Sequence, residues 1–200
     1  IVIALSIILV FSSIVKINIF AENEDYTVED GVLISYTGTD AVVTVPDNLG
    51  IVAIGNGHDP VFGETNHSVT KVVIPEGAVT INEFALSAMS ALTEVVLPDS
   101  LEVIKGMAFS GDEELSSLNL PEGLTAINGT DILAYTGITS LDLPDHVQLQ
   151  NPGSAFSFAL NLAELNVSEN SDNYYSENGV LFDKQKTTLL CFPSAKAGDY

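Results

Sequence analysis

Leu92-Thr93-Glu94-Val95-Val96-Leu97-Pro98 echoes Val69-Thr70-Lys71-Val72-Val73-Ile74-Pro75 at a distance of 23 residues. The same pattern returns at that interval in Leu115-Ser116-Ser117-Leu118-Asn119-Leu120-Pro121 and Ile138-Thr139-Ser140-Leu141-Asp142-Leu143-Pro144. Apolar residues stand six, three and one positions before each proline. A fixed period of this length marks a solenoid, whose units are too small to bury an apolar face alone and therefore stack on one another. Outward from these four copies, Leu162, Leu165 and Val167 keep the pattern with Ser168 in place of proline, and Val43, Val45 and Pro46 begin an earlier copy. About six units result.

Alternation such as Val72-x-Ile74 or Leu118-x-Leu120 reads as a half-buried strand, which the proline ends because it cannot donate to a ladder. Further buried positions follow, Leu101 and Ile104 or Leu124 and Ile127. Glu83-Phe84-Ala85-Leu86 and Gly106-Met107-Ala108-Phe109 are then expected to be short helical turns that return the chain. The expected fold is an α/β repeat solenoid of 23-residue period: one short strand per unit in a parallel sheet, short helical turns, and flanking β-hairpins.

The run from Leu92 to Gly111 resembles the BspA-like leucine-rich repeat: strand, Pro98, the apolar run Leu101 to Ile104, then Ala108-Phe109. The resemblance covers roughly residues 41–170. The Ala-Phe pair becomes Ala85-Leu86 and Asp131-Ile132 in other units, and a later position that is small or Cys in the family holds Met89, Asp112 and Tyr135. Glu29-Asp30-Gly31-Val32-Leu33 and Glu177-Asn178-Gly179-Val180-Leu181-Phe182 also resemble each other and the family's flanking hairpins. The second runs on to Pro193 with a turn expected around Asp183 to Lys186. The resemblance implies a fresh run of repeats after it, hence a longer parent protein; the other reading makes this hairpin a terminal cap.

The expected organisation is residues 1–21 as an incomplete signal peptide or N-terminal anchor, 22–45 as an N-terminal hairpin cap, 46–170 as the repeats, and 171–200 as the C-terminal hairpin. Ile1 to Phe20 is almost wholly apolar and gives way at Ala21 to Glu22-Asn23-Glu24-Asp25, the profile of an export signal. The localisation this implies is secreted or cell surface, with membrane contact only through the N-terminal segment. A formal net charge of −21, with six lysines and no arginine, opposes nucleic acid and anionic lipid as partners. The single cysteine, Cys191, forms no internal disulfide and is expected to be a small buried hydrophobe.

Chemistry is sparse. His58, His67 and His146 have no metal-ligand spacing, and no nucleophile motif accompanies the His58-Asp59 or His67-Ser68 pairs. Gly55-Asn56-Gly57 lacks the context of a phosphate loop. Asp112, Glu113 and Glu114 are expected in a solvated surface turn, where glycosidase work would instead need carboxylates facing each other across a cleft. Asn66, Asn128 and Asn166 open Asn-x-Ser/Thr sequons, which matter only in a eukaryotic source. No catalytic residue, metal or cofactor is expected.

Binding is expected on the strand face. Stacking puts the outward position four before each proline into one column, Lys71, Glu94, Ser117, Ser140 and Glu164, and the position two before into another, Val73, Val96, Asn119, Asp142 and Asn166. No aromatic column offers itself to sugar rings. The enlarged loop from Gly55 to Asn66, with Asn56, His58 and Asp59, is a second candidate surface because it breaks the period. The expected partner is a protein, and the family resemblance implies adhesion to host extracellular matrix such as fibronectin, or to another cell's surface protein. The alternative is a structural spacer in a larger envelope protein.

Overall fold

Most turns of the coil carry two strands, one before the proline position and one after, where the sequence pattern led us to expect one. The computed structural model describes residues 24–63 and 67–197, so the expected export signal at 1–21 lies outside the described residues. In chain order the strands are β1 (Tyr26–Glu29), β2 (Val32–Tyr36), β3 (Val42–Thr44), β4 (Ala53–Ile54), β5 (Lys71–Val73), β6 (Thr80–Ile81), β7 (Glu94–Val96) and β8 (Val103–Lys105). They continue as β9 (Ala126–Asn128), β10 (Ser140–Leu143), β11 (Gln148–Leu149), β12 (Glu164–Val167), β13 (Tyr174–Glu177), β14 (Val180–Asp183) and β15 (Leu189–Cys191).

The pre-proline strands form a parallel sheet, β3-β5-β7, and a parallel pair, β10-β12. The post-proline strands continue the N-terminal hairpin into one seven-stranded sheet, β1-β2-β4-β6-β8-β9-β11, parallel from β2 onward. Register puts one residue type in line on each inner face. Leu33, Ile54, Ile81, Ile104, Ile127 and Leu149 share a column on the long sheet, and Val43, Val72 and Val95 share one on the other, all buried. Branched side chains suit a pleated surface packed on one side, and each unit buries its face only against its neighbours.

The third side corrects the expected helical turns. Among the described residues the one helical element is a 3-10 turn at Asp47–Leu49. The segments after β6 and β8 are instead successive turns in which Phe84, Ala88 and Met107 take left-handed φ of 62°, 60° and 55°. A right-handed helix needs φ near −63°, so each such residue ends it. Their N–H groups bond the next turn of the coil: Leu86 N donates to Ala108 O (3.0 Å), Ala88 N to Ser110 O (2.8 Å), Phe109 N to Ile132 O (3.2 Å) and Gly111 N to Ala134 O (2.8 Å). An α-helix would have spent those donors internally.

This ladder also corrects two alignments. Asp131 (φ 59°) is the left-handed partner of Met107 at a spacing of 24, and the buried pair of its unit is Ile132-Leu133, in line with Ala85-Leu86, Ala108-Phe109 and Ala155-Phe156, not Asp131-Ile132. Tyr135 (φ 57°) likewise matches Ala88 and Gly111, so the buried position beside Met89 and Asp112 is Thr136. One residue is added in the turns and removed again before Pro144, which keeps the prolines in phase.

Hairpins with two-residue turns flank the repeats on both sides, at Asp30-Gly31 (φ 49° and 79°) and Asn178-Gly179 (φ 52° and 76°), the positive-φ pair that matches strand twist. At the first end Tyr36, fully buried, packs its ring 4.9 Å from that of Tyr26 and 5.5 Å from that of Phe62. At the second, Gly179 passes so close to Glu164 that a Cβ there would lie 2.9 Å from its Cα, and Gly179 O accepts the Leu165 N–H. Buried Tyr174 closes the long sheet by accepting the Leu149 N–H on its hydroxyl at 2.7 Å.

Candidate functional site

The ladder places the strand-face residues in the two columns. Lys71 pairs in register with Glu94 and Val73 with Val96; Ser140 pairs with Glu164 and Asp142 with Asn166. Val42 and Thr44 of β3 head the same columns. Sequence reading missed them because they fell within the expected N-terminal cap. Val42 is 56% exposed and Val96 39%, so with half-buried Val73 they make a small apolar patch. Beside it Lys71 Nζ donates to Glu94 Oε1 at 2.7 Å, a pair open to solvent and therefore of small energetic weight. On the far half, Asn166 Nδ2 bridges Ser140 Oγ (3.2 Å) and Asp142 Oδ1 (3.1 Å).

Ser117 and Asn119 sit between these halves, and here the face is broken. Leu115 and Leu118 remain buried, yet among the described residues no backbone hydrogen bond ties Ser116 to Leu120 to either neighbouring unit. The segment holds Leu118 and Asn119 where β5 and β7 hold valines, and so has fewer of the β-branched side chains that favour a strand. Along the break runs a groove of about 630 Å³, with Ser117 to Leu120 on one side and Ser140, Asp142, Asp145, Asn166 and Ser168 among its other walls. Glu122 joins Asp142 and Asp145 in lining it, and no basic side chain does. Ser168 Oγ donates to Asp145, which fixes that carboxylate at the rim.

The loop candidates are not brought into this groove. Asn56 Oδ1 accepts the backbone N–H of His58 (2.8 Å) and of Asp59 (3.0 Å), so the Asn56 side chain closes its own turn. His67 Nδ1 pairs with Ser90 Oγ at 2.8 Å, and His146 Nδ1 with Asp172 Oδ2 at 2.7 Å. That carboxylate raises the His146 pKa, chiefly through the hydrogen bond. Cys191 is half-buried, and desolvation pushes its thiol up to about 11, which leaves it a poor nucleophile. Among the described residues no three His, Cys, Asp or Glu side chains converge as metal ligands do.

The turn side holds two features that the sequence reading placed wrongly or passed over. Asp112, expected in a solvated turn, is fully buried; its Oδ1 accepts the Met89 N–H at 2.8 Å and its Oδ2 has no partner. Desolvation raises its pKa to about 9 against the lowering effect of that N–H, so the carboxyl is neutral at pH 7. Further along, the Tyr135 and Phe158 rings stack at 5.8 Å and 22°, each about half exposed. Both residues hold φ of 57°, a conformation costing about 1 kcal/mol for a side chain of this bulk. Their register was hidden by the one-residue shift at Asp131.

The chain is similar to known repeat proteins. The BspA type leucine rich repeat region matches residues 59–179 in six copies. Among solved structures, a leucine-rich repeat protein of T. pallidum superposes with a TM-score of 0.60 at 22% identity, over 72% of this chain and 69% of that one. One from Eubacterium ventriosum gives 0.67 at 23% identity over 86% of this chain, and the pneumococcal vaccine antigen PcpA gives 0.61 at 20% over 88%. The chain spans only 46% and 56% of the length of those last two. No curated protein sequence matches it.

Proposed function

The chain belongs to the BspA-type leucine-rich repeat family, and from that premise we propose that it is an extracellular protein-binding solenoid, an adhesion module that recognises its partner on the strand face. The observation that carries this reading is the register of Lys71 with Glu94 and of Ser140 with Glu164, which presents columns of outward side chains on either side of the break. The groove along the break adds a concave, acidic element to that face. A secreted or surface location fits the family and the apolar segment before Ala21. Among the described residues the scaffold offers repetition and no activated nucleophile, and the role we propose is non-catalytic. A host-matrix protein or a surface protein of another cell is the proposed partner class.

The test is a titration of the whole chain against purified fibronectin, collagen and envelope proteins by surface plasmon resonance, with Glu94→Lys/Glu164→Lys as control. Saturable binding lost in the control supports the strand face as the recognition surface. A folded chain that binds none of them favours the second reading, a spacer within a longer envelope protein.

A further inference from the structure

We propose that Tyr135, Phe158 and Leu160 form a platform on the turn side of the coil that stacks against a pyranose ring of a neutral oligosaccharide. Stability alone does not account for these residues. Tyr135 and Phe158 occupy left-handed positions filled by Ala88 and Gly111 in the preceding units, and both leave about half their surface in water. A bulky residue held at positive φ and kept exposed is an outlier from which a functional role can be argued.

The column shows where a ligand fits. Tyr135 N donates to Phe158 O at 2.9 Å and Gly111 N to Ala134 O at 2.8 Å, so the four positions rise in sequence along one ladder. Phe158 stacks on one side of Tyr135; on the other the column continues into Gly111 and Ala88, with no side chain larger than a methyl. Within that column no side chain is long enough to cover the outer face of the Tyr135 ring, and that half-exposed ring suits a flat, apolar surface. The C–H face of a pyranose carries partial positive charge and suits the negative face of an aromatic ring, while its hydroxyls remain in water.

Area and charge select this occupant. Tyr135, Phe158 and Leu160 are 50%, 54% and 56% exposed. At about 100 Å² each, they offer roughly 300 Å² together. A stable protein interface needs about 800 Å² on each partner, whereas a few sugar rings need far less. The net charge of −21 opposes anionic glycans, anionic lipid surfaces and a second copy of this chain.

The platform is independent of the strand-face reading, and the experiment keeps the two apart. The whole chain is titrated by calorimetry with cello-, malto-, laminari-, manno- and chito-hexaose, alongside Tyr135→Gly, Phe158→Gly and the double variant. Glycine already stands at the equivalent position 111 and relieves the positive φ, so the variants are expected to melt no lower than the parent. Binding of at least one hexaose is expected, weakened roughly threefold to tenfold for each ring removed and unaffected by Glu94→Lys/Glu164→Lys. The proposal is overturned if no hexaose binds at millimolar concentration or if the double variant binds as the parent does. It is equally overturned if the variants lose only a protein partner, which would make the platform part of a protein interface.

Discussion

On the strand face, one turn of the coil is tied to the next by parallel ladders that stop at Val96 and resume at Ser140; on the turn face, hydrogen bonds between units run from Leu86 to Phe158 without that break. The side with less regular secondary structure thus stays continuous through the fourth unit, as the long sheet does through β8, β9 and β11. Its turns absorb the 24-residue step from Met107 to Asp131 because each left-handed residue resets the chain direction. A sheet has no such freedom, since a one-residue slip turns every side chain to the opposite face. Irregular backbone here bonds unit to unit and buries Leu86 and Phe109 as fully as the strands bury Val72.

The largest test of that equivalence is a pair of truncations. Phe109 lies on the turn side and Leu141 on the strand side, both buried. Urea unfolding should show Phe109→Ala costing roughly 3–5 kcal/mol and Leu141→Ala roughly 2–5 kcal/mol. A cost below about 1 kcal/mol for Phe109→Ala would mean that the turn side behaves as a surface loop.

Asp112 sharpens the comparison, since the strand columns hold no buried acid. Its folded pKa of about 9 lies above the ordinary 3.8, so between those values the folded state holds a proton that the unfolded state has lost. The stability gained from the neutral acid is complete below about pH 4 and declines by up to about 1.4 kcal/mol per pH unit until pH 9. Asp112→Asn keeps an acceptor for the Met89 N–H and removes the titration. It should melt higher than the parent at pH 7 and differ little at pH 4, and parallel melting curves at the two values would refute the assignment.

The smallest effect belongs to the strand face. Lys71 and Glu94 are 33% and 54% exposed at their side chains. Lys71→Ala should therefore change stability by no more than about 0.5 kcal/mol in a thermal melt at moderate salt. A loss above 1 kcal/mol would show the ion pair to be part of what ties β5 to β7.

The period, the inward apolar positions and the outward columns on either side of the break at Ser116 to Leu120 were legible in the sequence. Proline every 23 residues and apolar residues at fixed offsets leave a stacked coil as the arrangement in which every unit buries its face. The Asp-Gly and Asn-Gly turns were equally open to local reading, because positive φ is a property of those residues themselves. Val42 and Thr44 were missed because their copy of the pattern is incomplete, and the second strand of each unit because a segment such as Val103-Ile104-Lys105 is too short to show alternation.

What the chain by itself determined is thus the repeat, its register at the prolines and its acidity, each a matter of residue order and composition. Tertiary structure alone decided that the return segments are turns, that Asp112 is buried, that the strand face breaks at Ser116 to Leu120, and that Tyr135 meets Phe158. Each depends on which N–H of one unit finds which carbonyl of the next. That pairing is set by contacts between residues some 23 positions apart, and no local pattern encodes it.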